Sequence, residues 1–591
     1  MKFSHILSIS TILLSSTFYG QQQDLPQQMA PHEYKLMDNY LQSRSAAKGT
    51  TTPPPFANLR TPAQWEEVQA LVITWTGQYN TIHSQIVDAA QEECEVIIHC
   101  SDSNSIKSTL TNNGVPLTNL SFLEVDFNSV WIRDYAANTV YVDDVDSLIL
   151  VDWIYNRPRP DDDVIPDAYA AHLGIPLFTM SQSPSDIMAT GGNWMCDGYS
   201  TGFSSNLILD ENDGAGGQSL NYPNHTETEI DQLYNDWMGI DNYIKMTNLP
   251  YDDIHHIDMH MKIANEETLV IGEFPTGSSD GPQIEANIQY ILNNFTTEWG
   301  DPYKIVRIPM PPSAGGNYAP SASYRTYANH IIVNKTILLP TYRTEYDTTA
   351  IRILQEIHPG HTIVPIDVDN NGQNLIGSGG AIHCITHSVG VSDPMWITHK
   401  QLTDTFDETN PYQVNAMIKH KTGIATATMY YKTSLGGSYT SVAMSSVGSD
   451  MWTANIPAQS AGTTLYYYVE GNANSGKTVQ RPLTAPAGYW KFNILNSGVG
   501  VNEQGWHAAL GNIYPNPASQ ITVIPVDANK ITSGSLIMYN MLGEQIEILH
   551  NGQLPASQKN FFIDAGKYPA GIYQVVFIAE GHTQTQQLVI E

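Results

Sequence analysis

Apolar residues recur along this chain at two different periods, and the change of period marks out its elements. Short runs rich in β-branched and apolar residues at 68–74, 96–99, 147–151, 269–271 and 330–339 predict strands. Between them, 81–92, 228–237, 284–293 and 348–356 are helix-compatible, with apolar positions three or four apart. This alternation predicts one large α/β domain spanning about 56–410.

After about residue 410 only the strand pattern continues. Runs at 425–432, 451–456 and 465–470, parted by Gly/Ser turns, predict a small immunoglobulin-like β-sandwich over 411–497. A Gly- and Asn-containing link near 496–507 then leads to a second small all-β module, 508–591. At the other end, residues 1–20 pair a charged start at Lys2 with an apolar run too short to cross a bilayer, which reads as a secretory signal. Residues 21–55 are Gln-rich, then polar, and end in Thr51-Thr-Pro-Pro-Pro55, the composition of a propeptide or linker, with one short helix at 34–41.

Charge narrows the partners. Among 591 residues, 27 basic and 59 acidic side chains give a net charge of −32. Such a surface repels a phosphate backbone, which argues against nucleic acid, and it favours a cationic substrate. Four cysteines are too few for a disulfide scaffold, although Cys94 and Cys100 are close enough in sequence to pair.

Four stretches carry candidate chemistry. Read as a strand, 251–263 puts Ile257, Met259, Met261 and Ile263 on one face and His256, Asp258, His260 and Lys262 on the other. That polar face fits a solvated edge, a cleft wall or a chelating His-x-Asp-x-His set. In Trp131-Ile-Arg-Asp134 the Arg-Asp neighbours fit either a structural ion pair or a pocket wall. In Asn156-Arg-Pro-Arg159 the proline presents Arg157 and Arg159 at small entropic cost, suited to a carboxylate or phosphate; pairing with Asp161, Asp162 and Asp163 is the competing reading. The stretch 377–390 holds Cys384 between His383 and His387, as a metal site, a nucleophile or a buried turn.

A cysteine nucleophile needs thiolate character, a proton carrier and a means of placing its electrophile. Asp134 and Asp258 cannot activate a thiol directly, but they would hold a cation, and a held cation favours the thiolate. A guanidinium fits, being planar, permanently charged and furnished with N–H donors in a fork that carboxylates match. Its carbon is a poor electrophile until a leaving nitrogen is protonated, which is work for a histidine such as His256.

These residues carry a resemblance. Thr61-Pro-Ala-Gln-Trp-Glu-Glu-Val-Gln-Ala-Leu-Val-Ile-Thr-Trp75, Trp131-Ile-Arg-Asp134, His256-Ile-Asp258 and Gly379-Gly-Ala-Ile-His-Cys-Ile-Thr386 stand in the order seen in the agmatine deiminase and bacterial peptidylarginine deiminase family. Over roughly 60–395 the chain resembles that family. The resemblance implies a pentein α/β propeller of five ββαβ-like units about a pseudo-fivefold axis, followed here by two small all-β domains. It implies Cys384 as nucleophile, His256 as acid and then base, and Asp134 and Asp258 as the carboxylates gripping the guanidinium. Asn329 resembles the asparagine beside the cysteine, with Asn317 competing; Trp131, Arg157 and Arg159 resemble substrate-binding residues. His383 and His387 then read as structural neighbours, and neither cofactor nor metal is implied.

Two features divide the branches of the family. The polyamine branch carries Glu-Gly-Gly where this chain reads Thr190-Gly-Gly. Asn156-Arg-Pro-Arg159 resembles the paired arginines that grip the carboxylate of a C-terminal arginine. The expectation is a secreted protein-arginine deiminase acting on arginine-bearing peptides or proteins, preferably at C-terminal arginine, through a cysteine thiouronium intermediate. An agmatine or free-arginine deiminase and a catalytically silent surface-binding protein are the alternatives. Tyr514-Pro-Asn-Pro517, Tyr539-Asn-Met-Leu-Gly543 and Gly571-Ile-Tyr573 resemble the C-terminal sorting domain of type IX secretion, which implies the secretion machinery as a partner and a secreted or surface-attached protein.

Overall fold

One pattern of pairing is repeated five times between Val68 and Gly390. A short strand pairs antiparallel with a second, and the second pairs parallel with a third across a helix, the crossover that parallel pairing requires. Asn138–Val142, Ser147–Tyr155 and Leu177–Met180 form one such unit across helix Ile165–Leu173. Met195–Cys196, Thr201–Ser205 and Asn242–Met246 form the next, across Glu227–Met238. Met261–Asn265, Thr268–Glu273 and Lys304–Pro309 follow, across Gly281–Asn294. Ile331–Val333, Thr336–Thr341 and Thr362–Asp367 follow in turn, across Thr344–Ile357. The remaining unit is split along the chain. Its first strand, His387–Gly390, pairs with Val68–Thr74, which continues through helix Asn80–Ala90 into Glu95–Cys100. The computed structural model that gives this topology describes residues 25–43, 49–214, 222–275, 277–370, 372–495, 508–519, 521–528, 531–554 and 558–591.

The middle strands are apolar on both faces because both faces are covered. Ala70–Ile73, Val96–Ile98, Leu269–Ile271 and Ile337–Leu339 are all buried and join one core. The predicted strand at 330–339 is in fact a hairpin, Ile331–Val333 and Thr336–Thr341. Asn334 turns it with φ of 49°, a conformation its side chain tolerates, and its amide bonds Val68 and Glu93.

The predicted alternation across 256–260 is absent. Ile257–Met259 is a 3-10 turn, and the strand begins only at Met261. A shared His/Asp face depends on a two-residue period, which a 3-10 turn does not have. The four cysteines are separate buried thiols, so Cys94 and Cys100 are not paired. The predicted signal and the link at 496–507 lie outside the described residues.

Beyond Gly390 the regular structure among the described residues is β, apart from a 3-10 turn at Ala565–Lys567. Trp396–Thr398, Tyr412–Lys419, Met451–Ile456 and Ser445–Gly448 form one antiparallel sheet, and a second is built on Ile424–Lys432 and Thr464–Ala473. The two share a core of Val414, Ile418, Met429, Leu465 and Val469. Two further sheets between Ala508 and Ile590 enclose a core of their own.

Candidate active site

The chemistry-bearing residues stand just ahead of the first strand of each repeated unit. Asp134 is on the short helix Ile132–Tyr135 before Asn138–Val142. Gly191–Asn193 is a 3-10 turn before Met195–Cys196. His256 and Asp258 belong to the turn before Met261–Asn265. Asn329 precedes Ile331–Val333, and Cys384 lies in the 3-10 turn His383–Ile385 before His387–Gly390.

Hydrogen bonds knit these turns together. Gly192 N–H donates to Asp134 Oδ1 at 3.3 Å, and Thr190 Oγ1 lies 3.3 Å from His256 Nε2. Asn329 Nδ2 donates to the Asp258 carbonyl at 3.4 Å while its Oδ1 accepts from His383 N at 3.0 Å. Arg133 Nε donates to the His383 carbonyl at 3.3 Å. Gly192 is required by close approach, since a Cβ there would overlap His256 Nδ1.

Around Cys384 the distances are those of a reactive cluster. Asn329 Nδ2 is 3.2 Å from Sγ, and Asp258 Oδ2 is 3.8 Å away. His383 Nδ1 lies 2.7 Å from that same Asp258 oxygen, with its Nε2 3.0 Å from Gln64 Nε2. His256 Nδ1 is 3.6 Å from Asp134 Oδ1. Cys384, His256, Asp258 and Asn329 are all 0% exposed.

Burial sets the protonation states. It pushes the Cys384 thiol well above its ordinary range, with the Asp258 and Asp134 charges adding to the effect. Asp258 is likewise pushed up, by burial and then by Asp134, and His256 is lowered to about 4, chiefly by burial. Arg133 is brought down to about 10 by desolvation, against the opposing pull of Asp258 and Cys384. Lys262 is driven well below the usual lysine range by burial, then by Arg133. In this state the thiol and the imidazole are both neutral. A cation entering between the carboxylates reverses the balance at Cys384, because it offsets the negative field that disfavours the thiolate.

The structure therefore brings Cys384, His256, Asp134, Asp258 and Asn329 together. Asn317 is exposed, in a turn closed by its N–H to Ser313 Oγ. Arg157 and Arg159 do not turn to the following aspartates. Asp162 instead accepts from Asn128 N, Ser129 N and Ser129 Oγ, and Asp163 from Tyr155 N. Both arginines face residues 26–33, in the stretch whose composition reads as propeptide or linker. Arg157 Nε donates to the Gln27 carbonyl at 3.1 Å, and Arg159 binds Glu33 through two nitrogens at 2.8 and 3.0 Å. Trp131 Nε1 donates to the Leu25 carbonyl at 2.8 Å.

Sequence reasoning missed two participants, Gln27 and Glu211. Gln27 is buried against Asp134, yet nothing in a Gln-rich stretch distinguishes it. His383, expected as a structural neighbour, braces Asp258. Glu211, at 2.6 Å from Asn156 Nδ2, stands behind the arginine pair with its carboxyl pushed up to about 7 by burial.

Comparison with known proteins places the chain in a family. Residues 60–389 match the family described as Porphyromonas-type peptidyl-arginine deiminase, and 512–591 match a secretion system C-terminal sorting domain. A Shewanella protein (strain W3-18-1) provisionally named agmatine deiminase is 24% identical over 379 residues, covering 57% of this chain and 96% of its own. A similarly named Mycoplasma mycoides protein is 24% identical over 298 residues, covering 45% and 76%. A solved structure provisionally described as an agmatine deiminase superposes with a TM-score of 0.50 at 19% identity, covering 58% of this chain and all of that one. The tail is a type IX sorting signal that marks the chain for secretion or for attachment at the outer-membrane surface. No helix among the described residues is long and apolar enough to cross a membrane.

Proposed function

The chain belongs to the Porphyromonas-type peptidyl-arginine deiminases, which act on guanidino groups, and from that premise we propose that it converts peptidylarginine to peptidylcitrulline and ammonia, preferring arginine at a peptide C-terminus. The observation that carries this reading is the set of a thiol, two carboxylates and an imidazole drawn from one short helix and two turns into one buried site. The five repeated units are read as a propeller whose axis would pass through that meeting point.

In the proposed reaction Asp134 and Asp258 grip the guanidinium, and its charge lowers the Cys384 thiol pKa. The thiol proton passes to the neutral His256 imidazole, and the thiolate adds to the guanidinium carbon. The C–N bond to one terminal nitrogen breaks, and that nitrogen leaves as ammonia with a proton from His256. The amidino-thioether left on Cys384 is then attacked by a water that gives its proton to His256. Collapse expels the thiolate and leaves a ureido group. Asn329, 3.2 Å from Sγ, holds the sulfur in line.

Arg157 and Arg159 support the preference for a free carboxylate. Arg159 already holds a carboxylate, that of Glu33, in the bidentate geometry a C-terminus would take. Agmatine, the substrate named for several relatives, has no such group. The test compares ammonia release from a peptide ending in arginine, the same peptide amidated, and agmatine. The free acid is expected to lead the amide by on the order of 10²-fold in kcat/KM, the cost of leaving a charge pair incomplete. Agmatine turned over as well as the free acid sinks the peptide reading. Ammonia released by Cys384→Ala sinks the covalent one.

A further inference from the structure

The groups proposed to take substrate are already engaged, by the chain's own N-terminal segment. Gln27 is 0% exposed; its Nε2 donates to Asp134 Oδ2 at 3.0 Å and lies 3.5 Å from His256 Nδ1. A Cβ built on Gly380 would overlap Gln27 Oε1 and stand 2.9 Å from the Cys384 Cβ, so the amide lies over the nucleophile's turn. Gln27 N donates to the Ser378 carbonyl at 3.0 Å, and Trp131 Nε1 to the Leu25 carbonyl. Arg159 NH2 takes the Pro26 carbonyl at 2.7 Å in addition to Glu33. The segment is anchored further on. Met37 and Tyr40 pack on Ile154 and Met188, and Tyr40 OH donates to the Tyr155 carbonyl at 3.1 Å.

A glutamine amide is planar and offers N–H donors, as a guanidinium does, but it is neutral and its side chain is shorter than that of arginine. It therefore satisfies Asp134 without supplying the charge that activates the thiol. Glu33 occupies the arginine that would take a substrate carboxylate. We propose that residues 25–43 are a pseudosubstrate that keeps this enzyme latent, and that proteolytic separation from the catalytic domain activates it. Tethered, the segment competes at the millimolar effective concentration typical of a short linker; once cut, dilution releases it. Its Oε1 accepts no hydrogen bond among the described residues, which weakens its hold.

The inference rests on reading this cleft as the substrate site, so its test has a readout besides turnover. A specific protease sequence is inserted after the exposed Thr52 of the full chain. Uncut protein is compared with protein cut and freed of the fragment. Alkylation of Cys384 by iodoacetamide, followed by mass spectrometry, and ammonia release from a peptide ending in arginine are expected to rise at least tenfold on cutting. A synthetic 25–43 peptide is expected to reverse both, competitively with substrate. Uncut Gln27→Ala/Glu33→Ala is expected to show part of the gain, a check that does not depend on folding without the segment. Equal alkylation and equal turnover before and after cutting overturn the inference and leave the deiminase reading intact. A rise in alkylation reversed by the peptide, with no ammonia from either form, upholds the plug and overturns the deiminase reading.

Discussion

One methyl group at Gly192 is enough to part the imidazole from its carboxylate. A Cβ there would overlap His256 Nδ1 and stand 3.0 Å from Asp134 Oδ1, and both side chains are buried with little room to yield. Gly192→Ala is expected to lose at least about 10²-fold in kcat/KM, the scale of a displaced catalytic group. Overpacking costs about 1–3 kcal/mol in addition. Peptide kinetics and urea unfolding read the two effects separately; activity within threefold of the parent refutes the argument. At this scale the sequence was legible where chemistry demands a particular side chain. Cys384, His256, Asp134 and Asp258 are of that kind. Asn329 was preferred to Asn317 on resemblance alone, and it is the fold that shows which of the two stands at the sulfur. His260 was drawn into the site by a strand period that the backbone at 257–259 does not follow, whereas Lys262, on strand Met261–Asn265, does feel the Asp258 and Cys384 charges.

The site is held by turns, and the strands behind them serve as mounts. Many of these strands are short, such as Met195–Cys196 and Ile331–Val333, too brief to show a period in the sequence. The longer buried strands and amphipathic helices were legible: Val68–Thr74 coincides with its prediction, and Glu227–Met238 extends its own by one residue at each end. The fivefold recurrence was hidden because the units share a pairing scheme without sharing residues. Helix Glu227–Met238 also shows what local sequence fixes unaided. Thr226 accepts from Glu229 N, and Glu229 reaches back to Thr226 N at 2.7 Å, a complete capping box. Thr226→Ala is expected to cost about 1 kcal/mol in urea unfolding, with kcat unchanged. A changed kcat would mean that the helix start communicates with the active site.

Across the whole molecule, three cations of an acidic chain stand at one join. Arg481 pairs with Glu266 at 2.9 Å, Lys477 with Glu67 at 2.9 Å and Lys419 with Asp144 at 2.7 Å, tying the β-region after Gly390 to the catalytic domain. The C-terminal module has a core of its own. Deleting 508–591 is therefore expected to abolish arrival at the cell surface in a host with type IX machinery while leaving peptide turnover unchanged. Cell fractionation and ammonia release check the two halves, and surface arrival without the tail refutes the first. The order in which the chain is made adds a consequence. Cys384 is the last of the five reactive residues to be synthesised, and its strand, His387–Gly390, pairs with Val68–Thr74, the first strand of the repeated units. A chain that has passed Asn329 but ends before Cys384 has every other group of the set and no nucleophile. Under the proposed reaction, completion of the catalytic domain is in this way its own licence, and an unfinished copy has no means of turning over a guanidinium substrate.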